Sequence, residues 1–523
     1  MKNSLVTLIV ILCMLLMETP VAQADVWNFT GSRYQAMGGT GVAFSDDSLS
    51  AYWNPANLAF QKGWDVQIPV TANGEIVNLA AEKLSDLLQR ASDMESTLSQ
   101  YVDCIGLECS DIPAELPQTE EIVGFLYDLS RLGKEAESVY VDVEFGILGR
   151  YNNFAFSALS LTTATIYPNI DTENVDLGAR PGDWIPCPPP SPAPACNTPQ
   201  DTQFFERMKQ EADPLRWSED EIGQFIWSME QINGGQELGP DQKSIVNSVI
   251  TSTGSFADNQ SGALSAGLST QEFAVSWSHT IPVPGFDKME GTSKKIFGYI
   301  HDKVSLGITP KYILGITFLN FSSYNGGQTI SGVARDLTDL DSRTISHNFG
   351  LDIGMSFRPV EWFQLGLVAR NVNSPEFDVD TFKTVRGRVI DSIELPAQVR
   401  LGIALRPFRN LILSSDIDLT QNSVTTIPGF ESRILSVGAE YRIGMGRHVD
   451  LNLRLGTFGN LSGYGGDDWS MTGGLGLRFG SFAIDLSGGG EFSENLVRTG
   501  STSYTNLPSG LNLGLGFKWV KSL

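Results

Sequence analysis

The segment LNLGLGFKWV, residues 511–520, shows the pattern that decides the fold. A leucine or an aromatic residue stands at every odd position from Leu511 to Trp519, and glycine, asparagine or lysine stands between them. Because successive side chains of a β-strand point to opposite faces, this segment predicts a strand between an apolar and a polar environment. The pattern recurs through the second half of the chain, as in FGLDIGMSF (349–357) and VDLNLRLGT (449–457).

About fourteen segments of this kind occur, and tight connections alternate with long ones. Outer-membrane barrels have short periplasmic turns, longer external loops and an even strand number. The sequence therefore predicts an all-β fold, a barrel of about 14 antiparallel transmembrane strands. A soluble sandwich also gives alternation, but the length, number and spacing of the segments favour the barrel. The connection at about 283–303 is too long for a periplasmic turn. The predicted spans are 64–72, 139–151, 154–166, 271–282, 304–320, 344–358, 362–371, 397–406, 410–420, 433–443, 448–458, 470–479, 482–489 and 511–520.

The first residues predict export. Lys2 precedes an apolar run over residues 5–17, and AQA (22–24) offers a cleavage site after Ala24. A membrane anchor is the alternative, but the run is shorter than the roughly 20 residues needed to span a bilayer. We expect residues 1–24 to be a signal peptide and the mature chain to lie in the outer membrane of a Gram-negative bacterium.

Composition excludes some functions. The net charge of −24 argues against nucleic acid as a partner, because phosphate binding needs a basic footprint. The excess of acid most simply keeps the protein soluble; binding of divalent cations at an acidic outer leaflet is the alternative. The four histidines (His279, His301, His347 and His448) form no compact metal-binding spacing, and the chain has no GxSxG motif. We predict no enzyme activity, no cofactor and no metal.

Residues 61–523 are predicted to form the barrel. Two long insertions between its early strands are expected to lie outside the cell. Residues 76–137 and 168–270 both contain stretches with helical periodicity. Each holds one cysteine pair, Cys104 with Cys109 and Cys187 with Cys196, which predicts two small disulfide loops in an oxidising compartment. A metal site is the alternative, although no histidine lies near either pair. The insertions could cover the barrel mouth or bind a partner.

Charged residues of the alternating segments fall on the face opposite the apolar one. A basic residue facing lipid at the bilayer midplane costs about 2–4 kcal/mol, so we expect these side chains in the lumen. Both signs occur together, which predicts a paired, partly filled interior rather than a wide pore of one sign. Alternatively, some of them lie at the rims and are solvated. The predicted lumenal charges are Asp352, Arg370, Arg400, Asp416, Asp418, Glu440, Arg442, Arg454, Arg478 and Asp485.

Residues 32–59 read SRYQAMGGTGVAFSDDSLSAYWNPANLA. Glycines permit close backbone approach and positive φ, and an asparagine before a proline favours a turn that its side chain caps. The segment resembles the N-terminal plug of the FadL/OMPP1 family of outer-membrane transporters of hydrophobic compounds. The resemblance implies that residues 25–60 form a plug, or hatch, in the lumen; an ordinary surface loop is the alternative. The expected plug and gating residues are Arg33, Gly38, Gly39, Asp46, Asp47, Asn54, Pro55 and Ala56.

The later chain resembles a branch of that superfamily labelled TraF-like conjugal transfer proteins, and also the barrel called PorV. The stretches that carry the resemblance include LGITPKYILG (306–315), RLGIALRP (400–407) and SVGAEYRI (436–443). Some of these relatives pass hydrophobic solutes and others serve secretion assemblies, so the resemblance implies the architecture more strongly than the cargo.

Two functions are therefore expected from the sequence. The first is an outer-membrane channel for hydrophobic small molecules such as long-chain fatty acids, gated by the plug. The alternative is a non-transporting barrel that docks or assembles a secretion, conjugation-type or surface-protein system. The partners are then outer-membrane lipid together with a hydrophobic small molecule or a surface or secretion protein.

Overall fold

The computed structural model describes most of the chain between residues 27 and 521. The described residues are 27–77, 138–171, 174, 199–232, 235–252, 260–283, 286, 289–292, 298, 300–323, 343–383, 389–423, 431–446, 449–462, 469–491, 494–498 and 504–521.

Fourteen antiparallel strands hydrogen-bond in chain order and close into a barrel, which confirms the predicted fold and strand number. The last strand closes the ring on the first, with Trp64 opposite Lys521 and Glu75 opposite Gly510. The strands are β1 (Trp64–Val77), β2 (Ser138–Tyr151), β3 (Phe154–Asn169), β4 (Gly262–Thr280), β5 (Val304–Ser323), β6 (Arg343–Val360), β7 (Phe363–Arg370), β8 (Gln398–Phe408), β9 (Leu411–Asp418), β10 (Ile434–Gly444), β11 (Val449–Asn460), β12 (Trp469–Phe479), β13 (Phe482–Glu491) and β14 (Gly510–Lys521).

The alternation in the sequence becomes an apolar outer face and a polar inner face. On β14, the side chains of Leu511 and Leu513 are 51% and 54% exposed, whereas Asn512 between them is 5% exposed. Phe145 on β2 and Phe273 on β4 are also more than half exposed. A closed barrel pairs the backbone groups of its strands with one another, so it can present such a surface to lipid. The fold is that of a transmembrane β-barrel.

The two ends of the barrel differ. Tight connections, such as those at 152–153 and 480–481, lie at one end, called here the short-turn end. The longer connections lie at the opposite, long-loop end, where β1 is joined to β2 and β3 to β4. The connection between β4 and β5 (281–303) lies at the short-turn end and is longer than its neighbours there, as the sequence indicated.

Several strands extend further than the sequence indicated. β4 begins at Gly262 rather than at 271 and pairs with β3 as far as Asn169. The insertion between them therefore covers 170–261, not 168–270, and the first covers 78–137. The early part of β4, GALSAGLST (262–270), is rich in glycine, alanine and serine, so its small side chains hide the alternation that marks the other strands.

The second insertion contains three helices, α1 (Thr202–Glu211), α2 (Glu219–Ile232) and α3 (Pro240–Thr251). They bury a shared apolar core that includes Phe204, Ile226 and Val246. Asp201 caps α1 by accepting a hydrogen bond from Phe204 N at 2.9 Å, and it pairs with Lys243 of α3. The Lys243 ammonium and this backbone N–H hold the pKa of Asp201 below its usual value.

A hairpin from the long-loop end folds into the barrel. Its strands, Glu376–Lys383 and Val389–Glu394, form a separate two-stranded sheet between β7 and β8. Phe377 is fully buried and lies so close to β5 that a Cβ on Gly315 would be 2.0 Å from its Cδ1. Thr317 Oγ1 donates to Asp378 O at 2.6 Å. The hairpin therefore covers the inner side of β5 near the long-loop end of the lumen.

Candidate functional site

Residues 27–60, called here the inner segment, lie within the barrel. Almost all of them are buried, and they contact inward-facing residues on most of the strands. The segment contains two short helical turns, Ser32–Gln35 and Ser50–Trp53, and a 3₁₀ turn, Pro55–Phe60. The inner segment makes up most of the predicted plug, residues 25–60, whose role as a plug stays a prediction.

The double glycine of the inner segment is required by both backbone angle and space. Gly38 and Gly39 have φ values of 70° and 75°, which other residues rarely adopt. A Cβ on Gly38 would lie 2.6 Å from Thr457 O on β11, and one on Gly39 would lie 2.3 Å from the Phe29 ring. These positions let the inner segment turn directly against the barrel wall.

Asn54 closes the other end of the segment. Its Oδ1 accepts a hydrogen bond from Ala56 N at 3.1 Å, and its Nδ2 donates to Val42 O at 3.0 Å and to Met355 O on β6 at 3.1 Å. Pro55 starts the 3₁₀ turn, where the missing N–H costs nothing. Ala56 O accepts from Ser305 Oγ on β5 at 2.8 Å. One side chain therefore caps the turn and fixes it to the wall.

Nine described glycines on eight barrel strands, called here the glycine ring, lie against the inner segment. A Cβ on any of them would come within 3.0 Å of an inner-segment atom, for example 2.1 Å from Gly38 N at Gly456. Close approach of this kind needs glycine. The wall is therefore shaped around the inner segment. The members are Gly307, Gly354, Gly366, Gly402, Gly438, Gly456, Gly474, Gly514 and Gly516.

Charged contacts also join the segment to the wall. Glu440 on β10 lies between Arg33 of the inner segment, at 2.8 Å, and Arg454 of β11, at 2.7 Å. Arg454 continues the network to Asp485 on β13. Arg33 also pairs with Asp46. Each charge in this buried network therefore has at least one partner of opposite sign.

Other wall carboxylates hold the backbone of the segment. Asp416 on β9 accepts hydrogen bonds from Gly41 N at 2.7 Å and Val42 N at 2.9 Å. In the opposite direction, Asp47 of the inner segment pairs with Lys518 on β14 at 2.8 Å. Such charge-assisted hydrogen bonds are stronger than neutral ones.

Two wall arginines lie against the aromatic start of the segment. The guanidinium of Arg370 is 3.9 Å from the ring centre of Tyr52 and 5.0 Å from that of Trp27, and that of Arg400 is 5.4 Å from Trp27. Asp352 lies 4.0 Å from Arg370, and Asp418 lies 3.4 Å from Arg400. The arginines thus combine cation–π contacts with ion pairs.

Eight of the ten predicted lumenal charges are therefore on the inner face of the barrel, and two are not inside it. The Arg442 side chain is 52% exposed and pairs with Asp450, and the Arg478 side chain donates to Gly480 O at 3.0 Å. Both lie next to tight turns at the short-turn end. They therefore occupy the barrel rim, which was the alternative position for some of the predicted charges. Alternation continues to the strand ends, where the polar face meets water instead of the lumen.

Several predictions fall outside the described residues. These are the signal peptide and its cleavage near Ala24, the helices expected in the first insertion, and the two disulfides, Cys104–Cys109 and Cys187–Cys196. They stay predictions.

Above the inner segment, towards the long-loop end, the lumen contains a cavity that we call the vestibule. It has a volume of about 70 Å³. The apolar residues Trp27, Phe29, Ile434 and Phe458 line it, together with carboxylates of the wall such as Asp142. A second, smaller cavity lies between Asn28 and the part of the wall near Arg370.

The sequence reading missed the acidic face of β2. Asp142 and Glu144 point into the lumen and are 4% and 0% exposed. They alternate with Val141 and Val143, which point outward, so the same period-two pattern marks them in the sequence. The inner hairpin and the pair of Lys311 with Glu272 were also missed, because their partners are far apart in the chain.

The described residues contain no group of three or more His, Cys, Asp or Glu side chains able to hold a metal ion. Three histidines stack on aromatic rings: His279 on Trp277, His301 on Phe286 and His347 on Tyr312. In the part of the chain that is described, no helix has the length and apolarity needed to cross a bilayer.

Comparison with known proteins gives one family. A family model described as "F plasmid transfer operon, TraF, protein" matches residues 51–418, well over half of the chain. A search of curated protein sequences finds no match.

Several solved barrels are similar over most of their length. The toluene transporter TbuX of Ralstonia pickettii is 12% identical, with 94% of this chain and 98% of that chain covered and a TM-score of 0.41. A FadL homologue of Pseudomonas aeruginosa is 11% identical, with coverage of 94% and 98% and a TM-score of 0.41. The toluene transporter TodX of Pseudomonas putida is 11% identical, with coverage of 97% and 100% and a TM-score of 0.39.

Proposed function

The chain belongs to the family described as F plasmid transfer operon, TraF, protein, and we propose that this member is an outer-membrane channel for hydrophobic small molecules. The observation that carries the proposal is the vestibule, a cavity in the long-loop half of the lumen that is lined by Trp27 and Phe29 of the inner segment and by Phe458 of the wall. Ligand sites are concave and mostly apolar, with a few polar groups that orient the ligand.

In this proposal the long-loop end faces the outside of the cell, and the inner segment is the plug. A solute enters the vestibule and waits above the plug. The contacts below it include polar ones, such as Arg33 with Glu440 and Asn54 with Met355 O, and a buried apolar cluster that joins Met37 and Val42 to Val368 of the wall. Both kinds of contact are released when the plug moves. The route then continues to the periplasm or sideways into the bilayer. Long-chain fatty acids are the solutes that the family resemblance implies.

The test uses the purified barrel in liposomes. We expect passage of a neutral apolar solute, 2-phenylethanol, above that of protein-free liposomes. Replacing Asn54 with Ala should change its rate without preventing barrel formation, because the turn then loses its hydrogen bonds to Val42 O and Met355 O. Asn153→Ala is the matched control, since Asn153 donates to Ser278 O at the short-turn end, outside the inner segment.

The outcomes separate the two parts of the proposal. No passage through the unaltered barrel would remove the channel function. Passage that is the same in the Asn54→Ala variant for every solute would leave a channel but remove the gating role of the inner segment.

The alternative function is a docking or assembly barrel in which nothing passes. The glycine ring favours it, because a wall shaped closely around the inner segment seals the lumen. The description of the family, which names a plasmid transfer operon, is compatible with it. Crosslinking in cells should then recover one defined protein partner through the long-loop end, and liposomes that contain the barrel should be as tight as empty ones.

A further inference from the structure

A cavity of about 450 Å³ lies on the outer face of the barrel, across β8 to β12, and we call it the outer groove. Its rim consists of large side chains that point away from the lumen, such as Leu455 on β11 and Met471 on β12, which are 66% and 48% exposed. Its floor consists of smaller, half-buried side chains, such as Ala439 on β10 and Thr457 on β11. Small residues beside large ones therefore leave a depression in the wall.

The lining of the outer groove is uncharged. It contains no acidic, basic or histidine side chain, and the two hydroxyl groups that point outward are already bonded within the wall. Ser415 Oγ donates to Ser436 O at 2.9 Å, and Thr457 Oγ1 donates to Ser470 O at 2.8 Å. A polar ligand group would lose its hydrogen bonds to water in this groove and gain none in return, whereas hydrocarbon would lose nothing.

The strands around the groove are paired in continuous register. Ala439 at its floor, for example, lies opposite Leu413 of β9 on one side and opposite Leu455 of β11 on the other. A peptide binds a sheet as an added strand only where an edge is exposed. The outer groove therefore suits an apolar chain that lies on the wall rather than a strand that extends it.

The outer groove lies directly behind the inner segment. Gly438 of β10 and Gly456 of β11 line the groove and also belong to the glycine ring. On the lumenal side, a Cβ on these glycines would lie 2.3 Å from Met37 O and 2.1 Å from Gly38 N. The wall between the groove and the inner segment is therefore only one backbone thick at this place.

Hydrocarbon of the bilayer is the material that reaches the outer face of a transmembrane barrel. Apolar surfaces gain no hydrophobic free energy by meeting within a membrane, so association there depends on close packing. A lipid chain on a flat part of the wall contacts protein on one side. A chain in the groove contacts both floor and rim, and its individually small dispersion contacts add up.

We propose that the outer groove is a lipid site, which holds an acyl chain of an outer-membrane lipid as a fixed ligand of the barrel. The chain lies over Ala439 and Thr457, beside Leu455, and packs against strands whose lumenal side meets Met37 and Gly38. The headgroup stays outside the groove, so the chain is the part that is recognised. The site is independent of whether a solute passes through the lumen.

The test is photo-crosslinking of the purified full-length barrel in phosphatidylethanolamine liposomes. The liposomes contain a small fraction of the same lipid with a diazirine on one acyl chain, and mass spectrometry identifies the labelled residues. Leu513 on β14, which is 54% exposed outside the groove, is the reference for Leu455. We expect about tenfold more label on Leu455 than on Leu513, a ratio that corresponds to about 1.4 kcal/mol.

Ala439→Phe fills the floor of the groove and should lower the labelling of Leu455 to that of Leu513. Ala158→Phe is the matched control, because Ala158 of β3 also points outward, opposite Phe273, which is 54% exposed. This variant should keep the full excess of label on Leu455. Folding of both variants is checked by the mobility of the unheated barrel in gel electrophoresis.

Three results would overturn the lipid site. The first is equal labelling of Leu455 and Leu513 in the unaltered barrel, and the second is an excess on Leu455 that survives in Ala439→Phe. The third is an unaltered barrel that migrates as a dimer in native gels and an Ala439→Phe barrel that migrates as a monomer. That result would assign the groove to a second copy of the chain.

Discussion

At the level of the inner segment, Glu440 lies between Arg33 and Arg454, whereas on β2 the carboxylates of Asp142 and Glu144 lie beside an amide and a hydroxyl. All of these groups are buried in one lumen, so burial does not explain the difference. Paired charges fix the segment to the wall and favour one arrangement. On β2, the described hydrogen-bond donors to the two carboxylates, Asn73 and Thr71, are neutral residues of the neighbouring strand β1. The first set of contacts joins the inner segment to the wall through charge pairs, and these hydrogen bonds of the second join two strands of the wall.

The largest loss of stability is expected when the ion pairs of Glu440 are broken, because this carboxylate has two arginine partners. Glu440→Gln removes the carboxylate that pairs with both Arg33 and Arg454, so Arg33 keeps only its aspartate partners and Arg454 keeps only Asp485 among the described residues. Breaking a buried ion pair in this way costs about 3–5 kcal/mol. We expect a lower free energy of unfolding and faster tryptic cleavage at Arg33. Asp450→Asn is the control, since it removes a carboxylate whose partner, Arg442, is half exposed at the rim. Equal losses in both variants would contradict a special role of the lumenal network.

The glycine ring gives the next largest effect. A Cβ on Gly456 would lie 2.1 Å from Gly38 N, whereas one on Gly473 of the adjacent strand would meet nothing closer than 3.6 Å. Gly456→Ala should destabilise the docked segment by about 1–3 kcal/mol, as overpacking does. In planar bilayers, its ion conductance should exceed that of the unaltered barrel, and Gly473→Ala should match the unaltered barrel. A Gly456→Ala barrel that conducts no more than Gly473→Ala would show that the wall yields without releasing the segment.

The acidic face of β2 should respond with the opposite sign. Asp142→Asn replaces one of two neighbouring buried carboxylates with a neutral amide, so we expect the free energy of unfolding to rise by about 1 kcal/mol. Asp485→Asn, which removes a carboxylate paired with Arg454, should instead lower it. Chemical denaturation of the two variants measures both changes. Destabilisation by Asp142→Asn would mean that the hydrogen bond from Asn73 to the carboxylate outweighs the cost of placing it beside Glu144.

The smallest loss of stability is expected from a partly exposed pair outside the strands. Lys243 and Asp201, whose side chains are 24% and 17% exposed, join two helices of the second insertion, and ion pairs near the surface contribute about 0–1 kcal/mol. Lys243→Gln should change the stability of the insertion by no more than that, as measured by hydrogen exchange of α1.

The pH dependence of the same pair has a definite sign. Lys243 and Phe204 N lower the pKa of Asp201 in the folded chain. The ionised carboxylate therefore stabilises the insertion above the ordinary aspartate pKa of about 4, and this stabilisation is lost as the pH falls below that value. Exchange in α1 should therefore speed up in acid in the unaltered chain and less in Lys243→Gln. An equal response in both would assign the effect to other groups.

The sequence was sufficient for the barrel because its signal is local. Each strand carries its own alternation, as in residues 511–520, and fourteen such segments became fourteen strands in chain order. Boundaries were less accurate where small residues hide the pattern, as at Gly262. Among the site residues, Asn54, Gly38 and Gly39 were recognisable because each shapes the backbone around itself.

What the sequence could not give was the identity of partners. Alternation shows that Glu440 and Asp142 both face inward, but it does not show that Glu440 meets two arginines and Asp142 meets the amide of Asn73. Arg442 and Arg478 have the same alternation as the lumenal arginines, and only their height on the strand places them at the rim.

The sequence by itself determined the fold class, the strand number and the inward side of each strand, because these follow from the two-residue period of a β-strand and the cost of charge in lipid. The tertiary structure decided which charges pair, how closely the inner segment meets the glycine ring, and where the vestibule remains open. Those properties depend on the closure of the ring, which brings residues from opposite ends of the chain, such as Asp47 and Lys518, to within 2.8 Å.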